Sequence, residues 1–306
     1  MIATLTLNPA LDKSTHISGL VPEKKLRCLS PEYFPGGGGI NVSRALSRLG
    51  LDNQAIYVAG GPAGEMIGKL LTKEKISSLA IEVDEWTREN LVVKDDASGN
   101  QYRFTFPGLP MKENDQINVL SFISSLNPFP SILVMSGSFA PQFPLEFITR
   151  IQKLCANNHA KLVIDTSGPY LNEAAKSGVH LLKPNYHELC ELAGIEGDEV
   201  FDLHKIGKRV LEKYPVEILV VSLGANGASI ITKDEYHHEP APKVPVKSTV
   251  GAGDSMVAGL VFALSKGKPL KDVLRYGVAC GTATTMNDGT GLFKAEQVDR
   301  VLELMK

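Results

Sequence analysis

The stretch TVGAGDSMVAG (Thr249–Gly259) sets one carboxylate, Asp254, after a Gly-Ala-Gly turn and at the head of an apolar run. Small residues running into apolar ones read as a loop that passes into a helix. A helix start carries unpaired N–H groups and the positive end of the macrodipole. The amides of Ala252, Gly253 and Asp254 could therefore hold a tetrahedral anion. An Asp in a first turn also has a purely structural use, because it complements the dipole. If the bound anion is a phosphoryl group in transfer, the same carboxylate stands where it could accept the proton of an attacking hydroxyl. Position then matters more than a raised pKa.

Other stretches hold the residue types that a phosphate-handling cleft needs. FPGGGGIN (Phe34–Asn41) places four glycines before a helix expected from about Ile40. The run is either a flexible connector or backbone that a ligand can approach closely, with Asn41 offering donors and an acceptor. In KPNYHEL (Lys183–Leu189), Asn185 and Glu188 share one side of a first helical turn. That spacing suits an N-cap with an acidic residue at N3. It equally suits a hard Mg²⁺ ion held largely through water and phosphate oxygens. SLGANG (Ser222–Gly227) is an ordinary turn or a floor for a nucleotide, and TATTMNDGTG (Thr282–Gly291) is a small polar loop fit to lie beside a base or a cation. The P-loop pattern is missing, since GEMIGKL only imitates its end, and so are G-x-G-x-x-G after the first run, G-x-S-x-G and H-E-x-x-H. P-loop ATPases, dinucleotide-binding dehydrogenases and α/β-hydrolases are thereby disfavoured.

Short apolar runs with polar tails must position these motifs. Ile2–Pro9, Ala55–Gly61, Ile132–Ser138, Lys161–Gly168, Val179–Asn185 and Glu217–Gly227 read as strands buried on both faces of a parallel sheet. Helix-period segments such as INVSRALSRLG, GEMIGKLLTKEK and LHKIGKRVLEKY lie between most of them. The alternation predicts an α/β fold with a doubly wound, mostly parallel sheet and helices on both faces, in one catalytic domain over 1–306. Ligands bind beyond the carboxyl ends of such strands, where the tails SGS, DTSG, KPN and SLG would gather.

Two segments break the alternation. Ser14–Pro35 lacks helical periodicity, and Thr87–Phe106 reads as a hairpin around DDASGN. Together, over about 13–35 and 87–106, they predict a small β-sheet laid over the cleft as a lid. Apolar residues on its uncovered face, Tyr102, Phe104 and Phe106, favour closure by a second copy, so a homodimer through the lid is expected.

Composition narrows the partners. A net charge of −2 with 43% apolar and 22% charged residues argues against nucleic acid and membrane surfaces. No leader or membrane-spanning run is visible, and the expected location is the cytoplasm. Cys28, Cys155, Cys190 and Cys280 are too scattered for a zinc site and read as free thiols.

GGGGIN early and TVGAGDSMVAG late, with KPNYHEL and SLGANG between them, resemble the ribokinase-like sugar kinases of the PfkB group. The resemblance runs from TLNPALD to NDGTG and implies ATP-dependent phosphorylation of a sugar. It implies that Asp254 is the catalytic base and that Gly251, Ala252 and Gly253 line the anion hole. Asp12, Gly37, Gly38 and Asn41 match sugar-binding positions, and Lys183, Asn185, Ser222, Gly224 and Gly227 match the nucleotide side. Glu188 matches the acidic residue tied to Mg²⁺. Ser248, Val250, Asn287 and Gly289 match a K⁺ site found in many members.

KLRC (Lys25–Cys28), WTREN (Trp86–Asn90), YRF (Tyr102–Phe104) and the all-glycine run are similar to the branch that phosphorylates fructose 6-phosphate at its 1-hydroxyl. Lys25, Arg27, Arg88, Arg103 and Ser138 fall where that branch contacts sugar phosphate and nucleotide. Relatives acting on tagatose 6-phosphate or fructose 1-phosphate usually carry GGKG, with a lysine at the place of Gly38. The fructose 6-phosphate branch has an arginine where this chain has Gly291, which leaves only a backbone carbonyl there for K⁺. Planar Arg donors suit a sugar phosphate, so Arg88 and Arg103 on the hairpin are either phosphate ligands or solvated lid charges. Two other readings remain: a non-catalytic nucleotide or sugar-phosphate sensor, and a nucleoside or vitamin kinase of the same fold.

Overall fold

Continuous apolar runs become the central strands. The structure, a computed structural model, describes residues 1–195, 202–289 and 291–306. In chain order the first elements are β1 (Ile2–Thr6), β2 (Ala10–Ile17), β3 (Glu32–Gly36), α1 (Gly38–Arg48), β4 (Asn53–Ala59), α2 (Gly61–Lys73), β5 (Ser78–Glu82), β6 (Arg88–Asp95) and β7 (Gln101–Phe104). Then come α3 (Glu113–Ser124), β8 (Ile132–Ser136), α4 (Glu146–Asn157), β9 (Lys161–Asp165), α5 (Pro169–Ser177), β10 (Leu181–Leu182), α6 (Tyr186–Ala193) and α7 (Leu203–Lys213). The last are β11 (Ile218–Ser222), β12 (Ala228–Ile231), β13 (Tyr236–Glu239), α8 (Ala252–Ser265), α9 (Leu270–Thr285) and α10 (Ala295–Leu304).

The large sheet runs β13-β12-β11-β10-β9-β8-β1-β4-β5. It is parallel from β5 to β11, and β12 and β13 add an antiparallel edge. All residues of β1 and β8 are buried, as a strand covered on both faces requires. Alternate side chains serve two cores. Ala3, Leu5, Leu133 and Met135 pack with α3 to α7, while Ile2, Ile132 and Val134 pack with α1 and α8 to α10. β1 lies between β4 and β8, so the winding reverses there and a crevice opens beyond the strand ends.

Three strands were not legible in the sequence. β5 has one buried residue, Ile81, and β13 has none, so neither presents an apolar run. β12 is wholly buried but only four residues long.

A second sheet, ordered β3-β2-β6-β7, packs against α1 and α2. Its hairpin joins β6 to β7 through five residues, 96–100, with Leu91 opposite Phe104 and Val92 opposite Arg103. The Asp95 carboxylate closes the turn, accepting from Ser98 Oγ at 2.8 Å and the Ala97 amide at 3.0 Å. Because β2 pairs Asp12 with Asn90, the period of two places Asp12, Arg88, Asn90 and Arg103 on one face. Tyr102 and Phe104 fall on the other face, and both are exposed.

Candidate active site

Helix α8 starts at Ala252 because Gly251, at φ 71°, turns the chain through the left-handed region. That start aims Asp254 at the end of the crevice. The Asp254 carboxylate accepts from Asn41 Nδ2 at 3.0 Å and from Ser136 Oγ at 3.3 Å, so α1, β8 and α8 converge on it. Burial pushes its carboxyl up to about 6, helped by the neighbouring Asp165 charge and opposed by Asn41, Lys183 and Ser136. Lys183 is buried, with Nζ 3.0 Å from Asp165 Oδ1. The same ammonium lies 3.9 Å from where a Cβ on Gly253 would be, so a positive charge borders the helix start. The Ala252 amide donates to the Thr249 carbonyl at 3.3 Å within the turn. The amides of Gly253 and Asp254 lie in the first turn, where a helix leaves its N–H groups without intrahelical acceptors.

The glycine run sits against the protein itself. A Cβ on Gly38 would lie 2.5 Å from the Gly137 nitrogen and 2.6 Å from the Ser136 carbonyl carbon. A Cβ on Gly39 would lie 2.5 Å from Thr6 Oγ1. These glycines let α1 close onto the ends of β1 and β8. Gly37, at φ 114°, makes the turn into the helix.

On the same side, Asp12 Oδ1 accepts from Asn90 Nδ2 at 2.8 Å, and Asn90 Oδ1 accepts from the Phe106 amide at 3.2 Å. Burial raises the Asp12 pKa, against the bond from Asn90 and the charges of Arg88 and Arg44. Arg88 is no solvated lid charge. It donates from Nη1 to the Phe106 carbonyl at 2.7 Å and from Nη2 to the Asn8 carbonyl at 3.1 Å, and its Nε is buried without a partner. Asn8 ties three segments together, with Nδ2 at 3.0 Å from the Pro107 carbonyl, 3.2 Å from that of Phe139 and 3.3 Å from Ser138 Oγ. Neither Asn8 nor Asn90 was among the expected site residues, although each stood inside a quoted motif. Lys25, Arg27 and Arg103 are exposed on the small sheet and its 18–31 loop.

Across α8 lies a mostly apolar cleft of about 670 Å³. Ser222, Gly224 and Gly227, expected on the nucleotide side, line it together with Ala252 and Gly253. Its other wall, Ala241–Val244 with Val246 and Val278, carried no recognisable motif. Gly227 (φ 85°) is glycine because a Cβ would collide with the Glu239 carbonyl. Asn185 bridges to Ser222 and also caps α6. Of the two uses weighed for Asn185 and Glu188, the cap is formed: the Glu188 amide donates to Asn185 Oδ1 at 2.9 Å, and the Asn185 amide to Glu188 Oε2 at 2.8 Å.

The residues fit Mg²⁺ only as a partly supported ion. Among the described residues no three His, Cys, Asp or Glu side chains gather to cage a metal. Mg²⁺ typically keeps several waters and takes one or two carboxylates plus substrate phosphates, and the second oxygen of Glu188 suits that role. On the expected K⁺ side, Ser248 Oγ donates to the Gly289 carbonyl at 2.9 Å, bringing two hard oxygens together. Asn287 Nδ2 donates to the Ala283 carbonyl at 3.0 Å and to Gln297 Oε1 at 3.1 Å, so its nitrogen is committed and its oxygens are what it offers a cation.

A buried carboxylate at a helix start, set at the switch point of a doubly wound sheet beside an apolar cleft, belongs here to a ribokinase-like fold. The chain belongs to the pfkB family of carbohydrate kinases, which it matches over residues 5–297. It is 38% identical to ATP-dependent 6-phosphofructokinase isozyme 2 of Escherichia coli over 98% of this chain and 97% of that protein. It is 33% identical to 1-phosphofructokinase of Bacillus subtilis over 95% and 94%. Solved structures of phosphofructokinase-2 from Escherichia coli, with potassium and with fructose-6-phosphate, superpose with TM-scores of 0.94 and 0.92 at 37% and 36% identity, covering 99% of this chain and 98% of theirs. The protein is an enzyme, a kinase of the group that phosphorylates fructose phosphates.

Proposed function

We propose that the enzyme transfers the γ-phosphoryl group of ATP to the 1-hydroxyl of fructose 6-phosphate, giving fructose 1,6-bisphosphate and ADP. The observation that carries this reading is the Asp254 carboxylate, held by Asn41 and Ser136 at a helix start with the Lys183 ammonium beside it. Asp254 takes the proton of the 1-hydroxyl as its oxygen bonds to the γ-phosphorus and the bond to the β-phosphate oxygen breaks. The amides of Gly253 and Asp254 and the charge of Lys183 neutralise the transferring group. Mg²⁺, when bound near Glu188, supplies further neutralisation of phosphate charge. Asp12 and Asn41 orient the sugar hydroxyls, and Arg88, with an unpartnered Nε, meets the sugar's phosphate together with Lys25, Arg27 and Arg103. Ser222, Gly224 and Gly227 floor the nucleotide, and Ser248, Val250, Asn287 and Gly289 would hold a K⁺ ion, which would add positive charge near the anion pocket.

For the substrate, the support is the crowding at Gly38, which leaves no room for the lysine that relatives acting on fructose 1-phosphate usually carry. The similarity to a 1-phosphofructokinase favours that second substrate, so it is the rival to test. Coupled assays with fructose 6-phosphate, fructose 1-phosphate and tagatose 6-phosphate decide it. The reading stands if kcat/KM is highest for fructose 6-phosphate and falls if either other sugar leads.

The small sheet acts as a lid over the crevice. Its outer face, with Tyr102, Phe104 and Phe106 exposed, pairs with that of a second copy in a homodimer. A tetrameric inhibited form of phosphofructokinase-2 from Escherichia coli has been solved, so the sedimentation of this chain needs measuring with and without ATP. The site of action is the cytoplasm, where ATP and sugar phosphates meet. No helix of the described residues is long and apolar enough to cross a membrane.

A further inference from the structure

We propose that Arg44 is a positioning residue: a guanidinium anchored by Glu74 dictates which end of the Asn41 amide meets the Asp254 carboxylate. The proposal rests on the reading of Asp254 as the proton acceptor. Asn41, Arg44 and Arg48 lie three and four residues apart on α1 and so share one helix face. Arg44 is 2% exposed. It grips Glu74, the residue that ends α2, with two bonds: Nε to Oε2 at 2.8 Å and Nη2 to Oε1 at 2.7 Å. This forked pairing fixes the plane of the guanidinium. The remaining nitrogen, Nη1, donates to Asn41 Oδ1 at 3.3 Å and to the Pro35 carbonyl, where β3 ends, at 3.4 Å.

A guanidinium only donates, so the oxygen of Asn41 must face Arg44. The amide nitrogen then faces the other way and donates to Asp254 Oδ2 at 3.0 Å. Turned over, the amide would set two donors against each other at Arg44 and offer an oxygen to Asp254. An oxygen there favours the protonated carboxyl, which accepts no proton from a substrate. Arg44 reaches the reacting carboxylate only through Asn41.

The other charges near these groups stay in place when Arg44 is changed. Asp165, at the end of β9, and Lys183, after β10, face Asp254. Glu74, Asp12 and Arg48 surround Arg44. Arg44→Lys keeps the positive charge and loses the fork, whereas Glu74→Gln loosens the fork from outside the cleft and guards against an Arg44 variant that does not fold.

The test follows the Asp254 carboxyl directly by carbon NMR of aspartate-labelled protein, with the signal assigned by its loss in Asp254→Asn. Both variants are expected to raise the titration midpoint of Asp254 by about half a unit to one unit. In turnover, kcat/KM for the sugar phosphate should fall about two- to fivefold at about pH 6 and be nearly unchanged at about pH 8.5. In an Asn41→Ala background the further change Arg44→Lys should move the midpoint no more. An unchanged midpoint in both single variants overturns the proposal. So does a shift by Arg44→Lys that persists without Asn41, because Arg44 would then act directly. Absence of sugar phosphorylation by the unmodified protein would instead sink the functional reading, while the titration still decides on the relay.

Discussion

Replacing Asp254 by asparagine should make the protein more stable while it destroys the activity. The folded carboxyl titrates at about 6 against a reference of 3.8. Between those values the folded state holds the proton more tightly than the unfolded chain, so stability falls as pH rises through the window. Below about 3.8 both states are protonated and no penalty exists; above about 6 the penalty is complete. A gap of about two units corresponds to about 3 kcal/mol at 1.36 kcal/mol per unit. An asparagine escapes that penalty but cannot accept from both Asn41 and Ser136, and one weakened bond removes about 1 kcal/mol. The net gain of roughly 1–2 kcal/mol should raise Tm by about 1.5–3 °C at about pH 8 for a chain of this size. At about pH 5 only about half of the penalty remains, so most of the gain should vanish. Thermal unfolding at the two pH values, beside kcat reduced by about 10²-fold or more, checks the claim. A lower Tm at about pH 8, or a gain that does not shrink toward acid, would refute the account of Asp254 as a carboxylate held against its own burial.

Other expectations follow from single contacts. Asp165→Asn removes the like charge that helps to raise Asp254 and the partner that holds Lys183 at 3.0 Å. The acid limb of kcat/KM should move to lower pH while KM for ATP rises, and an unmoved limb would separate Asp165 from the site. Gly38→Ala forces a methyl to within 2.6 Å of the Ser136 and Gly137 backbone, so stability should drop by about 1–3 kcal/mol in denaturant unfolding, with a weaker hold on the sugar. Glu188→Gln should leave the α6 cap largely intact, since the amide oxygen still accepts, yet raise the Mg²⁺ concentration needed for half-maximal rate. Tyr102→Asp with Phe104→Asp should shift the protein toward monomer in sedimentation, and an unchanged dimer would place the interface elsewhere.

Much of the fold was legible because its core strands announce themselves chemically. β1, β8 and β11 are apolar runs that end in polar residues, and those ends are where the site lies. The edge strands β5 and β13 escaped because an edge has half the burial and needs no apolar run. The pocket around Asp254 was legible because its amides and small residues are contiguous in sequence. The wall at Ala241–Val246 was not, since apolar side chains that flank a cleft resemble any others.

The residues that position the site were illegible for a different reason. Arg44, Asn8 and Asn90 each work by meeting a partner far along the chain: Arg44 meets Glu74, Asn8 meets Pro107 and Phe139, and Asn90 meets Asp12. Nothing in SRALSR distinguishes a buried guanidinium from a solvated one on an amphipathic helix, because the pattern shows which face is apolar and not how deeply the helix is covered. Depth here comes from parts of the chain far from α1 in sequence: α8 and β3 pack against the helix, and Glu74 at the end of α2 reaches Arg44. The glycine run shows the same limit from the other direction. Its four small residues flagged a close approach, and one such approach, that of Gly38, is to Ser136 and Gly137 at the end of β8. That contact brings Ser136 and Asn41 to the same carboxylate, so the glycines serve the chemistry by packing two strand ends against a helix start.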